Sequence, residues 1–364
     1  MKKYKVRISL LFLFPLALII NYLAVFNPHF IEKYYSLGVN RFTIKILSSI
    51  TNFIPFSMYE PTIITSVIGV VGYFIYTVFS ICRHKTSLKR GAVNFLLNCA
   101  VVISVAYFLF IALWGLNYNR IPLYEGLKMN NEKHTVKELG ELYEYLIDKT
   151  NALREEIYVD ENNIATVKGG YQSALDRAPL GYENASKEFS VLKGSFGTPK
   201  QLIFSEFFNY TGITGIYFPY TGQPGVNVNA PLMTVPATTL HEMAHQRGFA
   251  REDEANFIAF LVSSMHPDKD FQYSGYILAL GNTANALYKA DPELYKTLSA
   301  KKSEDVEIDR EYRVEFWDKY SGKIEKVSSK VNDTYLKSNG ISDGEKSYGR
   351  MVDLLLDYYM TYLK

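Results

Sequence analysis

The sequence predicts an α-helical membrane anchor followed by a mainly helical, α+β domain with a small sheet beside one histidine-bearing helix. Three observations carry that expectation. Three long apolar runs lie within the first 116 residues, and charge is divided unevenly between the two parts of the chain. The pentapeptide His241-Glu242-Met243-Ala244-His245 contains no Pro and is followed by Gly248, a natural helix stop.

Residues 1–116 hold two acids, Glu32 and Glu60, against eleven Lys and Arg. Residues 117–364 hold 28 basic and 35 acidic side chains, a net charge of about −7. The overall +2 therefore describes neither part. Basic residues gather beside apolar runs, and the polar part has no basic cluster of the kind that binds nucleic acid. Cys82 and Cys99 both fall in apolar segments, which excludes a disulfide framework and a Cys-based zinc site.

Lys2, Lys3, Lys5 and Arg7 precede the first apolar run, residues 8–26. Its length and the bulky Tyr22, Phe26 and Phe30 where a small-residue cleavage site would fall point to an uncleaved anchor. In the connector 27–60, Val39, Phe42, Ile46, Leu47 and Ile50 recur at helical spacing, so it is expected along the membrane surface. The second and third spans are expected at about 62–82 and 92–116. Four Lys or Arg precede the first span and four separate the second from the third, against three in the longer connector. The positive-inside rule then puts the N-terminus in the cytoplasm and residues 117–364 outside, in a multi-pass protein of the cell membrane. Trp114, Tyr118 and Arg120 stand where interfacial anchors are expected.

The second domain, 117–364, is large enough for its own core. Thr135-Val136-Lys137-Glu138 is a capping box opening a helix, and further helices are expected at about 171–190, 269–289, 304–319 and 320–337. A last helix is expected after Ser342-Asp343-Gly344-Glu345, with Tyr348, Met351, Leu355 and Tyr359 on one face. Between 200 and 235 the β-formers and Gly/Pro punctuation read as short strands. One includes Val226 and Val228 alternating with Asn227 and Asn229, a half-exposed strand able to bind an extended peptide or simply to pack in a small sheet.

The chemistry centres on the HExxH pentapeptide. Positions i and i+4 share a helix face, so His241 and His245 can present two imidazoles to one Zn²⁺, with Glu242 beside the open position as general base. The other four His lack such spacing. A third ligand is expected from the acidic turn Glu252-Asp253-Glu254. If Glu252 opens a helix, Glu254 lies about 200° away around it and points elsewhere, while Asn256 shares Glu252's face and can hydrogen-bond a ligating His. Glu252 is the favoured ligand, Glu254 the alternative.

Residues 114–120 (WGLNYNR), 241–256 (HEMAHQRGFAREDEAN) and 333–337 (DTYLK) resemble the bacterial domain-of-unknown-function family 3810. The resemblance implies a multi-span membrane protein with a zincin-like domain. The HExxH block is also similar to gluzincin peptidases, whose third ligand is a Glu in a Glu-x-x-Ala-Asp/Asn turn, and this implies Glu252 here. Only six residues separate His245 from Glu252, fewer than gluzincins usually have. The metzincin pattern would place its third His at Arg251, which cannot ligate a cation. The expected function is a membrane-anchored zinc metallopeptidase acting on polypeptides outside the cytoplasm. A membrane sensor using the same domain without proteolysis is the alternative.

Overall fold

The computed structural model describes residues 2–364. Three of its helices are long and apolar enough to cross a membrane: Lys5–Val25, Tyr59–Cys82 and Leu88–Leu113. The first is broken into α1 (Lys2–Leu11) and α2 (Leu13–Val25). Pro15 is the cause, because its ring removes an N–H and crowds the carbonyl four residues earlier, that of Leu11. Ser104 of the third apolar helix repairs the break. Its hydroxyl donates toward the Leu10 and Leu11 carbonyls (2.8 and 3.2 Å) and accepts from Phe14 N (3.0 Å). In an apolar setting such freed groups need a partner.

Next come α3 (Pro28–Phe30), a π-helical segment (Ile31–Asn40) and α4 (Arg41–Thr51). This connector turns Asn40, Ile44 and Ser48 inward and leaves Val39, Phe42, Ile46 and Ile50 exposed. Its inward side binds the second half of the chain: Thr51 Oγ1 donates to the Thr221 carbonyl at 3.0 Å, and Gln223 Nε2 donates to the Thr51 carbonyl at 3.1 Å.

Helices α5 (Tyr59–Cys82) and α6 (Leu88–Leu113) complete the apolar set. α6 starts four residues before the expected boundary because Ser87 caps it, accepting from Arg90 N. It also ends three residues early. A 3₁₀ turn, Gly115–Asn119, takes Leu116 out of the helix, and α7 (Leu123–Leu127) follows.

In the remaining body, α8 (Val136–Arg154) begins at the Thr135–Glu138 capping box, and α9 (Gly170–Glu188) follows near its expected limits. The sheet has three strands, β1 (Lys200–Gln201), β2 (Gly215–Phe218) and β3 (Gln223–Val226), with α10 (Ser205–Asn209) between the first two. Their order is β1-β3-β2, β1 parallel to β3 and β2 antiparallel to it. The strand near Val226 is thus central and buried, not half-exposed. Asn227 turns inward, its amide donating to Asn209 Oδ1 (2.7 Å) and the Ile213 carbonyl (3.1 Å). The edge strands are β1 and β2.

α11 (Val235–Gln246) and α12 (Glu252–Ser264) form the centre of the body. From Phe257 to Val262, α12 is buried on every side, so the chain packs around it: α11 on one flank and α13 (Lys269–Ala290) on another. The short α14 (Pro292–Ser299), absent from the sequence expectations, is capped by Asp291, which accepts from Leu294 N, with Pro at its first position. α15 (Glu304–Asp318) and α16 (Lys323–Ser338) come next. The expected capping box at residues 342–345 does not form. Glu345 instead accepts from Ser329 and Asn332 of α16, residues Gly344–Arg350 make a 3₁₀ segment, and α17 (Met351–Tyr358) starts later.

Candidate metal centre

His241 and His245 lie one turn apart on α11, and Glu252 is the first residue of α12. The chain reverses between them through Gly248, which has φ +83°. Gly248 N donates to the His245 carbonyl (2.8 Å) and Phe249 N to the Ala244 carbonyl (3.2 Å), the double closure that ends a helix when a residue can adopt the left-handed region. A Cβ at Gly248 would also stand 2.9 Å from Asn117 Oδ1.

This reversal brings Glu252 Oε2 to 3.2 Å from His241 Nε2 and 3.4 Å from His245 Nε2. One ligand atom from each of the three residues falls within 4.8 Å of the others. Glu254 goes elsewhere: it is buried and accepts from Leu123 N (2.8 Å) and Arg251 (3.2 Å). Asp253 pairs with Arg350 at 2.9 Å. Among the described residues Asn256 makes no hydrogen bond to either imidazole, although it lines the same cavity. The supporting partner of His245 is the Phe249 carbonyl, 2.7 Å from Nδ1. A carbonyl only accepts, so Nδ1 carries a proton, which leaves Nε2 as the nitrogen that faces Glu252.

Glu242 is buried, and its Oε2 has no hydrogen-bond partner among the described residues. Gly215 of β2 makes room for it: a Cβ there would come within 2.5 Å of Glu242 Oε1. Burial raises the Glu242 carboxyl above its usual range, with His241 and His245 opposing. For Glu252 burial acts in the same direction, but the charge of His245 and hydrogen bonds from both imidazoles outweigh it and lower its pKa. Burial alone would lower His245; the charge and hydrogen bond of Glu252, with Glu242, hold it up at about 9. Without a metal His245 and Glu252 therefore pair as imidazolium and carboxylate, and a dication would take the place of the proton between them.

Residues expected as interfacial anchors instead build the site. Trp114 is buried, its ring edge-on to His245 with centroids 5.8 Å apart. Tyr118 donates to Tyr335 Oη at 3.2 Å, so the 114–120 and 333–337 segments meet at the cavity. Tyr348 lines it as well. Burial, with Glu252's charge adding to it, raises the Tyr118 and Tyr348 pKa, so both hydroxyls remain protonated donors. Arg120 grips both Glu32 oxygens (2.7 and 2.8 Å) and donates to the Gly248 carbonyl (2.8 Å), bracing the reversal between His245 and Glu252. Arg247 lies 3.6 Å over the Tyr182 ring and donates to the carbonyls of Leu192, Met243 and Gly194. No local pattern announces these roles, because each joins residues far apart in sequence. His134 and His266 have structural partners, Asp357 Oδ1 (2.7 Å) and the Arg177 carbonyl (3.0 Å).

The site opens into a cavity of about 1060 Å³ bounded by β2, α11, α15, α16 and the site-facing ends of α5 and α6. The family model described as "Protein of unknown function (DUF3810)" matches residues 35–356, and the chain belongs to that family. No curated protein and no solved structure matches the chain.

Proposed function

We propose that the protein is a membrane-anchored zinc metallopeptidase with a zincin-like catalytic domain that hydrolyses peptide bonds outside the cytoplasm. The observation that carries this reading is the convergence of His241, His245 and Glu252 beside the buried, unpartnered Oε2 of Glu242. Two imidazole nitrogens and a carboxylate are a donor set suited to catalytic zinc, with a fourth position left for substrate or water. The orphaned Glu242 oxygen supports the fit, since a buried carboxylate oxygen is costly without a partner. His241, His245 and Glu252 would hold the ion. When bound, zinc supplies Lewis-acid polarisation of a carbonyl and lowers the pKa of water.

The chain's own part in the reaction is positioning and proton transfer. Glu242 takes a proton from water at Oε2 as the water oxygen bonds to the scissile carbonyl carbon. As the C–N bond breaks, the same carboxyl returns the proton to the leaving amine. The Tyr348 hydroxyl, at the cavity wall, is a neutral donor for the oxygen that gains charge. β2 has a free edge beside Glu242, which suits an extended peptide added as a further strand. The Lys and Arg distribution supports three spans with the N-terminus inside and the catalytic domain outside. A sensor that only bound metal would have no use for an unpartnered carboxylate at Glu242.

The test is metal analysis of the purified full chain, paired with turnover of a broad peptide library. One zinc per chain and chelator-sensitive cleavage are expected. Stoichiometric zinc with no cleavage of any peptide would instead favour the sensor.

A further inference from the structure

We propose that the site takes polypeptides carrying their own apolar membrane anchor, admitted sideways from the bilayer between α5 and α6; this rests on the metallopeptidase reading above. The argument starts from which residues wall the cavity. Tyr59, the first residue of α5, and Phe110, three residues before the end of α6, both line it together with His241 and Glu242. Trp114, the residue immediately after α6, touches His245. Tyr220, in the turn between β2 and β3, donates to the Ala106 carbonyl at 2.9 Å. Ala106 lies seven residues inside the end of α6, a depth of about 10 Å at the rise of a helix. The sheet turn therefore descends beside the span, and the metal centre stands at the level where the spans emerge.

The packing of α5 leaves a window there. Its first turn meets the body through Tyr59, whose ring centroid is 5.3 Å from that of Phe218. Its ring and hydrogen-bond contacts with α6 lie farther along: Tyr73 and Phe74 are 5.6 and 5.5 Å from Phe95, and Asn98 donates to Tyr73 Oη at 2.6 Å. Between these contacts every residue from 63 to 72 is exposed. That bare stretch of α5, with α6 and the Tyr220 turn, would bound the way in, which reaches the cavity past Tyr59 and Phe110.

Its walls select the occupant. A free peptide crossing at bilayer depth would leave backbone N–H and C=O groups without partners, at several kcal/mol each. An acyl chain has no such groups, and a membrane-spanning helix satisfies its own. The anchored polypeptide then runs past His241 and Glu242 toward the polar end of the cavity at Ser328, Asn332 and Glu345. Because Trp114 sits one residue beyond α6 and against His245, the cut falls in the segment adjoining the anchor.

The experiment uses the full chain in liposomes with zinc and one peptide library in three forms: free, N-palmitoylated, and fused to a 20-residue Leu/Ala helix. A photo-crosslinking benzoylphenylalanine replaces Tyr59 or Phe110 in a Glu242→Gln background, with Tyr288, exposed on the body, as the control position. Retained zinc reports that each variant is folded. The expected result is crosslinking of the anchored forms at positions 59 and 110 but not 288. In the unlabelled wild type, anchored peptides should be cut beside the anchor about tenfold faster than free ones, an effective-concentration gain. Palmitoyl and helix arms identify the anchor that is accepted. Cleavage of free peptides with no anchor crosslink overturns lateral entry and leaves the peptidase reading intact. Crosslinks without cleavage in wild type overturn the peptidase reading and keep lateral binding. Absence of crosslinks from both anchored forms overturns the inference.

Discussion

The wall that carries His241, His245 and Glu252 faces α16 across one cavity, yet the two are secured very differently. The α11–α12 wall is buried and cross-braced: Arg120 and Arg247 hold its carbonyls, and Ser274 of α13 accepts from Ala237 N at 3.0 Å. On α16 only Leu336 is buried, while Ile324, Val327 and Val331 are exposed. Its ties run mainly to Glu345, which accepts from Ser329 and Asn332. The difference teaches how the site divides its work. On the proposed function, metal ligands and a general base would have to be held to a fraction of an ångström, which requires a locked supporting shell. A wall that met substrates would gain from having few buried apolar contacts, since such segments open locally at low free energy.

That contrast can be broken in order of expected effect. Glu242→Gln should lower peptide turnover by about 10²–10⁴-fold while one zinc per chain is retained, checked by library hydrolysis and metal analysis. Loss of the zinc would mean that Glu242 is structural. Arg120→Ala leaves the Glu32 carboxylate buried without its partner, a change that typically costs about 3–5 kcal/mol. Denaturation of the full chain in detergent reads this cost, and a loss below about 1 kcal/mol would show that the brace is dispensable.

Gly248→Ala asks whether the reversal itself is strained. A side chain in the left-handed region, here also against Asn117, should destabilise by about 1–3 kcal/mol and weaken zinc binding, read by titration with a competing chelator. The cluster's charges predict a pH dependence of the metal-free protein. His245 is raised from 6.5 to about 9, so its stabilisation is complete below 6.5 and lost as pH rises through about 9. Glu252 is lowered from 4.5, so its stabilisation is present above 4.5 and lost as pH falls through its folded value. Melting temperature should therefore peak between about 4.5 and 6.5, and added zinc should reverse the alkaline decline because the neutral imidazole is the ligand. A flat metal-free profile from pH 6 to 9 would contradict the imidazolium–carboxylate pairing. Smallest of all, Val327→Ala on α16 should shift stability by less than about 0.5 kcal/mol, measured by the same melt. A larger loss would show that this wall is as firmly built as the other.

Much was legible in the sequence because it depends on near neighbours. The apolar runs, the Thr135–Glu138 box and the i, i+4 His pair are local, and helices form wherever such periodicities are uninterrupted. The choice of Glu252 over Glu254 followed from helix geometry, and the side chains take those two directions. Errors fell where a distant group competed for a local signal. Residues 342–345 carry a cap pattern, but Glu345 is drawn to α16. Trp114 and Arg120 resemble interfacial residues, but one packs on His245 and the other is consumed by Glu32 and Gly248. Val226 and Asn227 alternate like an edge, but both are buried because β2 and β1 flank β3.

The three apolar helices, the mainly helical body and the residue types of the candidate metal centre are all encoded within a few turns of chain. What surrounds them was settled by the tertiary structure: Arg120 bracing Glu32 and the Gly248 carbonyl, Gly215 making room for Glu242, and Trp114 joining the centre to the end of α6. The physical reason is range. Helix periodicity and capping act over three or four residues, whereas the partners that orient a ligand are chosen by packing among segments up to two hundred residues apart.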